Sequence, residues 1–157
     1  MSAQAISVGV VGGGAWGTAL AASFARAGRS VLLWARDPDV VADINARHEN
    51  RRRLPGVILP AGVRASDMLA EAAACDAIVL AVPTQSVRDV ASALAPVLPA
   101  GRAVVIAAKG LERTSQAFLT DVLAEALPQA VPAVLSGPSF ASDVARGLPT
   151  AVTDTDH

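Results

Sequence analysis

The chain has 157 residues, of which 52% are hydrophobic and 17% charged, and its formal net charge is −1. This composition predicts one globular domain with a substantial core and excludes a disordered chain. The small net charge, without a basic stripe, disfavours a nucleic-acid partner. No apolar run reaches transmembrane length and no secretory signal pattern is present, so we expect no membrane partner.

Short apolar runs alternate with helix-forming segments along the chain. The apolar runs predict strands over residues 6–11, 31–34, 63–65, 77–82, 103–107, 133–135 and 151–152. The segments between them predict helices over residues 18–27, 38–47, 68–74, 86–94, 116–127 and 140–145. Asp37 precedes Pro38 and is expected to cap the second helix, and Ser66 or Asp67 is expected to cap the third.

This alternation predicts an α/β fold, a doubly wound and mostly parallel sheet with helices on both faces. We expect residues 1–157 to form a single Rossmann domain with strand order 3-2-1-4-5-6. In such sheets the ligand binds beyond the carboxyl ends of the strands. Five loops are therefore predicted to line the site, namely residues 12–17, 35–38, 83–86, 108–111 and 136–141.

The first of these loops carries the pattern G-x-G-x-x-G between a strand and a helix. Gly12 is expected to permit the tight turn, and Gly14 to let a pyrophosphate approach the backbone. Gly17 is expected to allow close packing of the helix on the strand. The free N–H groups at the start of the helix favour an anion there, so the pattern predicts a dinucleotide-binding turn.

Arg36 lies 19 positions after Gly17, at the end of the second strand. An acidic residue near this place would bond the ribose 2′-hydroxyl of NADH, whereas an arginine suits the 2′-phosphate of NADPH. Asp37 is the next residue, but it also has the task of capping a helix. We therefore predict NADPH as the cofactor, with NADH as the alternative.

Other candidates have two interpretations each. Lys109, the single lysine, can bind a phosphate or a carbonyl oxygen, or it can be an ordinary exposed residue. The run 136–139, Ser-Gly-Pro-Ser, suits an anion or a polyol, or simply begins a helix. Trp16 can cover the cofactor or wedge the turn. His48, which precedes Glu49, could take part in acid–base chemistry, but its position at a helix exit favours an ordinary loop residue.

Two further features are expected to have no chemical role. The run 51–53, Arg-Arg-Arg, is predicted to be a solvated loop. Cys75 is the only cysteine, so no intrachain disulfide can form, and a reducing, cytoplasmic location is expected. We read Cys75 as a small apolar residue. The two histidines and one cysteine show no metal-ligand spacing, so no metal site is predicted.

Several motifs together resemble those of bacterial NAD(P)-dependent glycerol-3-phosphate dehydrogenases. They run in the family's order and span nearly the whole chain. They are the segments 12–20 (GGGAWGTAL), 48–50 (HEN) with 54–55 (LP), 81–84 (AVPT), 108–112 (AKGLE) and 135–141 (LSGPSFA). The resemblance implies reversible hydride transfer between dihydroxyacetone phosphate and sn-glycerol 3-phosphate, which feeds phospholipid synthesis.

The resemblance also implies roles for individual residues. It makes Lys109 a contact to both cofactor and substrate, in addition to the cofactor contacts Ala15, Trp16, Arg36 and Ala141. It makes Gly137 and Ser139 substrate contacts. Two positions depart from the family: Ala15 often matches a serine there, so only its backbone can bind, and Arg36 often matches a histidine.

Family members are about twice as long and carry a C-terminal helical domain with the proton-accepting lysine. We therefore expect this chain to be the nucleotide-binding part, with no catalytic residue of its own and little or no turnover alone. A regulatory NADPH-binding module and the nucleotide domain of a related two-domain 2-hydroxy-acid or sugar-acid reductase are the alternatives. The oligomeric state stays open: a homodimer is possible, and an exposed strand edge near Ala151 is able to pair with another chain.

Overall fold

The computed structural model of the chain describes residues 6–136 and 153–156. Its strands are β1 (Ser7–Val11), β2 (Ser30–Trp34), β3 (Val63–Ser66), β4 (Ala77–Leu80), β5 (Ala103–Ile106), β6 (Val131–Ser136) and β7 (Thr153–Asp156). Its α-helices are α1 (Ala15–Arg26), α2 (Pro38–Arg47), α3 (Leu69–Ala73), α4 (Val87–Leu94) and α5 (Leu119–Ala126). A 3₁₀-helix, Thr84–Ser86, leads directly into α4.

The strands form one sheet in the order β3-β2-β1-β4-β5-β6-β7. The first six are parallel, and β7 pairs antiparallel with β6. The predicted fold class and strand order 3-2-1-4-5-6 are confirmed. The strand order reverses between β1 and β4, so the connections that follow these two strands run in opposite directions and leave a crevice at their carboxyl ends, where ligands bind in this architecture.

Buried side chains form a core on each face of the sheet. Residues of α1 and α2, such as Leu20 and Ile44, pack on one face. Residues of α3, α4 and α5, such as Ala72, Leu94 and Leu123, pack on the other. The central strands contact both cores and are therefore apolar on both sides. None of the helices in the described part of the chain is long and apolar enough to cross a membrane.

Several predicted boundaries were wrong by a few residues. Helix α1 begins at Ala15 rather than residue 18, because Gly14 is extended and already serves as its N-cap. Helix α5 begins at Leu119 rather than residue 116, because Leu111 and Phe118 form an isolated antiparallel bridge that keeps the preceding segment in a turn. The predicted helix 140–145 and strand 151–152 lie outside the described residues, which resume with β7 at Thr153.

Candidate functional site

The glycine turn lies between β1 and α1 and is held by its neighbours on both sides. The N–H of Gly12 donates to the carbonyl of Trp34 at 2.9 Å, and its φ of +134° disfavours other residues. A Cβ at Gly12 would lie 2.5 Å from the carbonyl oxygen of Ala81, and one at Gly17 would lie 2.0 Å from that of Gly12. The fold thus requires glycine at both positions before any ligand is considered.

Gly14 differs, because a Cβ built there meets no atom within 4 Å. Its backbone is extended, with φ −76° and ψ −175°, and no side chain caps the twelve-residue helix α1 that follows it. The first N–H groups of this helix have no side-chain cap, and they carry the partial positive charge of the helix end. The turn is shaped to receive an anion against the backbone at Gly14.

Trp16 connects the glycine turn to the end of β5. Its indole Nε1–H donates to the carbonyl of Ala107 at 3.2 Å, and its half-buried ring packs against the core on the α1 face. This geometry matches a wedge between the turn and the sheet. The N–H is engaged by the protein, so contact with a cofactor would use the face of the ring.

Asn50, which sequence reasoning did not assign, holds the turn from the opposite side. Its buried side-chain amide donates to the carbonyl of Gly13 and to Oγ1 of Thr18, both at 2.9 Å. Asn50 follows His48, which ends α2 in the left-handed conformation and is exposed, as expected for a residue at a helix exit. The motif 48–50 therefore acts on the site through Asn50 rather than through the imidazole.

A cleft of about 380 Å³ opens beside the turn, above the carboxyl ends of β1, β2 and β4. It brings together three of the loops predicted to line the site. Its lining includes Gly12, Gly13, Gly14, Ala35, Arg36, Asp37, Val40, Arg53, Val82, Pro83 and Ser86. An apolar floor with a polar, cationic rim is a typical composition for a cofactor site.

Asp37 is engaged on both carboxylate oxygens. Oδ1 accepts the N–H of Asp39 at 2.9 Å, which confirms the predicted cap of α2. Oδ2 accepts a hydrogen bond from Nη1 of Arg52 at 2.5 Å. Arg36 and Arg53 are exposed at the same rim. The cleft therefore presents two guanidinium groups and one neutralised carboxylate.

The arginine run 51–53 is an exposed turn, and two of its side chains pair with carboxylates. Arg51 contacts Asp43 at 3.0 Å, and Arg52 contacts Asp37 as well as Asp39. The backbone N–H of Arg51 and the cation together hold the pKa of the Asp43 carboxyl below its ordinary value. The predicted exposed loop is confirmed, and the ion pairs are a detail that the run of like charges did not reveal.

Lys109 lies in the loop after β5 and lines a neighbouring cavity of about 520 Å³, together with residues of β6 and α5. Its backbone carbonyl accepts a hydrogen bond from Oγ1 of Thr84. The structure thus places Lys109 beside the second half of the crevice rather than among the residues of the 380 Å³ cleft. The predicted contacts Gly137, Ser139 and Ala141 lie outside the described residues.

Cys75 is buried at 8% exposure, and its thiol lies 3.7 Å from the carbonyl oxygen of Glu71. Burial raises the pKa of this thiol, so the reactive thiolate is disfavoured. Cys75 behaves as the small apolar residue that the sequence predicts. Within residues 6–136 and 153–156, no group of three or more potential metal ligands was found.

The chain matches a family described as NAD-dependent glycerol-3-phosphate dehydrogenase N-terminus over residues 7–156. It is 62% identical over 146 residues to a glycerol-3-phosphate dehydrogenase (NAD(P)+) of Azorhizobium caulinodans, covering 93% of this chain and 44% of that protein. The chain thus spans less than half the length of this curated relative.

Solved structures show the same similarity. A glycerol-3-phosphate dehydrogenase from Coxiella burnetii superposes with a TM-score of 0.88 at 35% identity, over 96% of this chain and 46% of the other. The corresponding enzyme of Saccharomyces cerevisiae gives 0.86 at 26% identity, over 98% of this chain and 48% of the other. In each pair nearly all of this chain aligns with about half of the solved one.

Proposed function

Because the chain belongs to the family of NAD-dependent glycerol-3-phosphate dehydrogenase N-terminal domains, we propose that it is the nucleotide-binding part of such an enzyme. The whole protein would interconvert dihydroxyacetone phosphate and sn-glycerol 3-phosphate and so supply phospholipid synthesis, in the reducing cytoplasm. When bound, a reduced nicotinamide dinucleotide would supply the hydride for the reduction of dihydroxyacetone phosphate. The observation that carries this proposal is the open backbone at Gly14, at the head of an uncapped helix.

The residues around the cleft fit a dinucleotide. Gly14 and Ala15 would hold the pyrophosphate, because nothing in the described structure fills the space above Gly14 and the helix dipole favours negative charge there. Gly12 and Gly17 would contribute by shaping the turn, because neither position leaves room for a Cβ. Trp16 would present its ring while its N–H stays on Ala107.

We further propose that the cofactor is NADPH rather than NADH. Arg36 and Arg53 are the cationic groups at the rim where the adenosine ribose would lie, beyond β2. Asp37 would otherwise favour a 2′-hydroxyl and repel a 2′-phosphate, but its charge is neutralised by Arg52 at 2.5 Å. A guanidinium group is well suited to binding a phosphate through paired hydrogen bonds.

The substrate side of the proposal depends on Lys109, at the far half of the crevice. Its ammonium would contact the cofactor and the phosphorylated triose, and Gly137 and Ser139 would contact the triose. Ala141 would contact the cofactor. No residue of this chain is assigned as the catalytic acid or base, and we expect the isolated chain to bind nucleotide without reducing dihydroxyacetone phosphate.

Calorimetric titration of the chain with NADPH and NADH tests this proposal. We expect tighter binding of NADPH, and Arg36→Ala should remove most of the difference. Arg29→Ala is the matched control, because Arg29 is exposed next to the opposite, amino end of β2. Equal affinities in the unmodified chain would contradict the NADPH preference, and binding of neither nucleotide would contradict the function.

A further inference from the structure

The loop that carries Lys109 is fixed by side chains from the preceding crossover. Oγ1 of Thr84 donates to the carbonyl of Lys109. The side-chain amide of Gln85 makes two hydrogen bonds with the loop. Its Nε2 donates to the carbonyl of Leu111 at 3.1 Å, and its Oε1 accepts the N–H of Arg113 at 2.8 Å. These contacts join segments more than 20 residues apart in the chain.

An ion pair completes this attachment. Arg88 on α4 donates through Nε and Nη2 to the two carboxylate oxygens of Glu112, at 2.8 and 2.9 Å. Ser115 donates to the same carboxylate at 2.6 Å, and Nη1 of Arg88 reaches Glu125 on α5 at 2.8 Å. The Glu112 side chain is 7% exposed. Paired donors on a buried carboxylate fix both position and orientation.

Apolar packing does little to hold this loop in place. Leu111 is 45% exposed and Phe118 is 67% exposed, although they bridge the two ends of the turn. Gly110 adopts φ +98°, which glycine does without strain, so the backbone beside Lys109 makes a turn that has little intrinsic stiffness. Polar side chains therefore set where this loop lies, and the residue at its beginning is the chain's single lysine.

We propose that Arg88 and Glu112 are positioning residues that hold Lys109 toward the nicotinamide half of the dinucleotide. The inference rests on the proposed function. The adenosine half lies over β2 in this fold, and β5 lies on the other side of β1 and β4. A ligand that fills only the adenosine half does not reach Lys109, so it does not depend on the Arg88–Glu112 pair.

Two probes separate positioning from general damage: NADPH, and adenosine 2′,5′-bisphosphate, which lacks the nicotinamide half. Glu112→Gln and Arg88→Lys should each lower the affinity of the chain for NADPH about tenfold, which is the loss expected for a misplaced charge-assisted hydrogen bond. Binding of adenosine 2′,5′-bisphosphate should stay within about twofold of the unmodified value. Lys109→Ala should reproduce the pattern, and adding Glu112→Gln to it should cause no further loss.

Glu125→Gln is the matched control, because it removes one exposed contact of Arg88 and leaves the Lys109 loop untouched. It should bind both probes as the unmodified chain does. NADPH affinity unchanged in both variants, or equal losses for the two probes, would overturn the proposal. If Glu112→Gln does not fold, Arg88→Lys decides, since it keeps the opposing charge. Failure of the proposed function is distinct, because the unmodified chain then binds neither probe.

Discussion

The side-chain amide of Asn50 donates a 2.9 Å hydrogen bond to the carbonyl of Gly13, and so joins the loop after α2 to the glycine turn. The same nitrogen reaches Oγ1 of Thr18 in the first turns of α1, also at 2.9 Å. Asn50 is fully buried, so removing its amide would leave buried polar groups that have lost a hydrogen-bond partner.

Asn50→Ala should therefore lower the free energy of unfolding by ~1–3 kcal/mol, because it leaves the Gly13 carbonyl and the Thr18 hydroxyl without this partner. It should also weaken NADPH binding, since the Gly13 carbonyl lies next to the proposed pyrophosphate site. Urea denaturation and calorimetric titration measure the two effects.

Asn45→Ala provides the comparison. Asn45 makes a similar pair of hydrogen bonds, to the N–H and carbonyl of Ala65 on β3, but these are remote from the turn. We expect Asn45→Ala to lower the free energy of unfolding, and to leave NADPH affinity unchanged once the folded fraction is taken into account. Equal effects of the two substitutions on affinity would show that Asn50 has no particular role at the turn.

The glycines of the turn should separate folding from binding. Gly17→Ala places a Cβ 2.0 Å from the Gly12 carbonyl oxygen and should destabilise the chain by ~1–3 kcal/mol through overpacking. An added Cβ at Gly14 meets no protein atom within 4 Å, so Gly14→Val should stay folded at a cost of about 1 kcal/mol, because valine is a poor N-cap, yet it should abolish NADPH binding by filling the pyrophosphate space. Normal binding by Gly14→Val would refute that role.

The Arg52–Asp37 pair should influence the choice between NADPH and NADH. Arg52→Gln leaves the Asp37 charge uncompensated at the rim of the cleft, so NADPH affinity should fall by up to about fivefold relative to NADH. Adding Asp37→Asn, which keeps a capping side chain on α2, should restore the original ratio of NADPH affinity to NADH affinity. Arg51→Gln is the control, because Arg51 pairs with Asp43 instead. An unchanged ratio in Arg52→Gln would contradict this account.

Local sequence signals predicted the parts of the site that depend on neighbouring residues. The strand, turn and helix around Gly12–Gly17 follow from backbone requirements that glycine meets. Asp37 followed by Pro38 predicted the observed helix cap, because the signal lies within three residues. The strand order followed from the alternation of elements, since right-handed crossovers leave few arrangements.

Long-range polar contacts could not be predicted in this way. Asn50 bonds a carbonyl 37 residues away, and Arg88 bonds a carboxylate 24 residues away. Neither pair leaves a periodic or local pattern, because their spacing depends on how crossovers return over the sheet. The carboxylate partners of Arg52 could not be predicted for the same reason, because a run of three arginines does not indicate which acidic side chains lie near it.

Acid should weaken the Lys109 loop through Glu112. Hydrogen bonds from Arg88 and then Ser115 lower the pKa of Glu112 from about 4.5 to about 2. Because the folded-state pKa is depressed, the stabilisation is complete above pH 4.5 and is lost as the pH falls toward 2. Thermal unfolding from pH 6 to pH 2.5 should show this decline, and Glu112→Gln should reduce the slope of unfolding temperature against pH.

Some slope should persist in Glu112→Gln, because hydrogen bonds from Ser7 also lower the pKa of Asp76. Glu125→Gln should keep the original slope, and parallel profiles for Glu112→Gln and the unmodified chain would contradict the assignment.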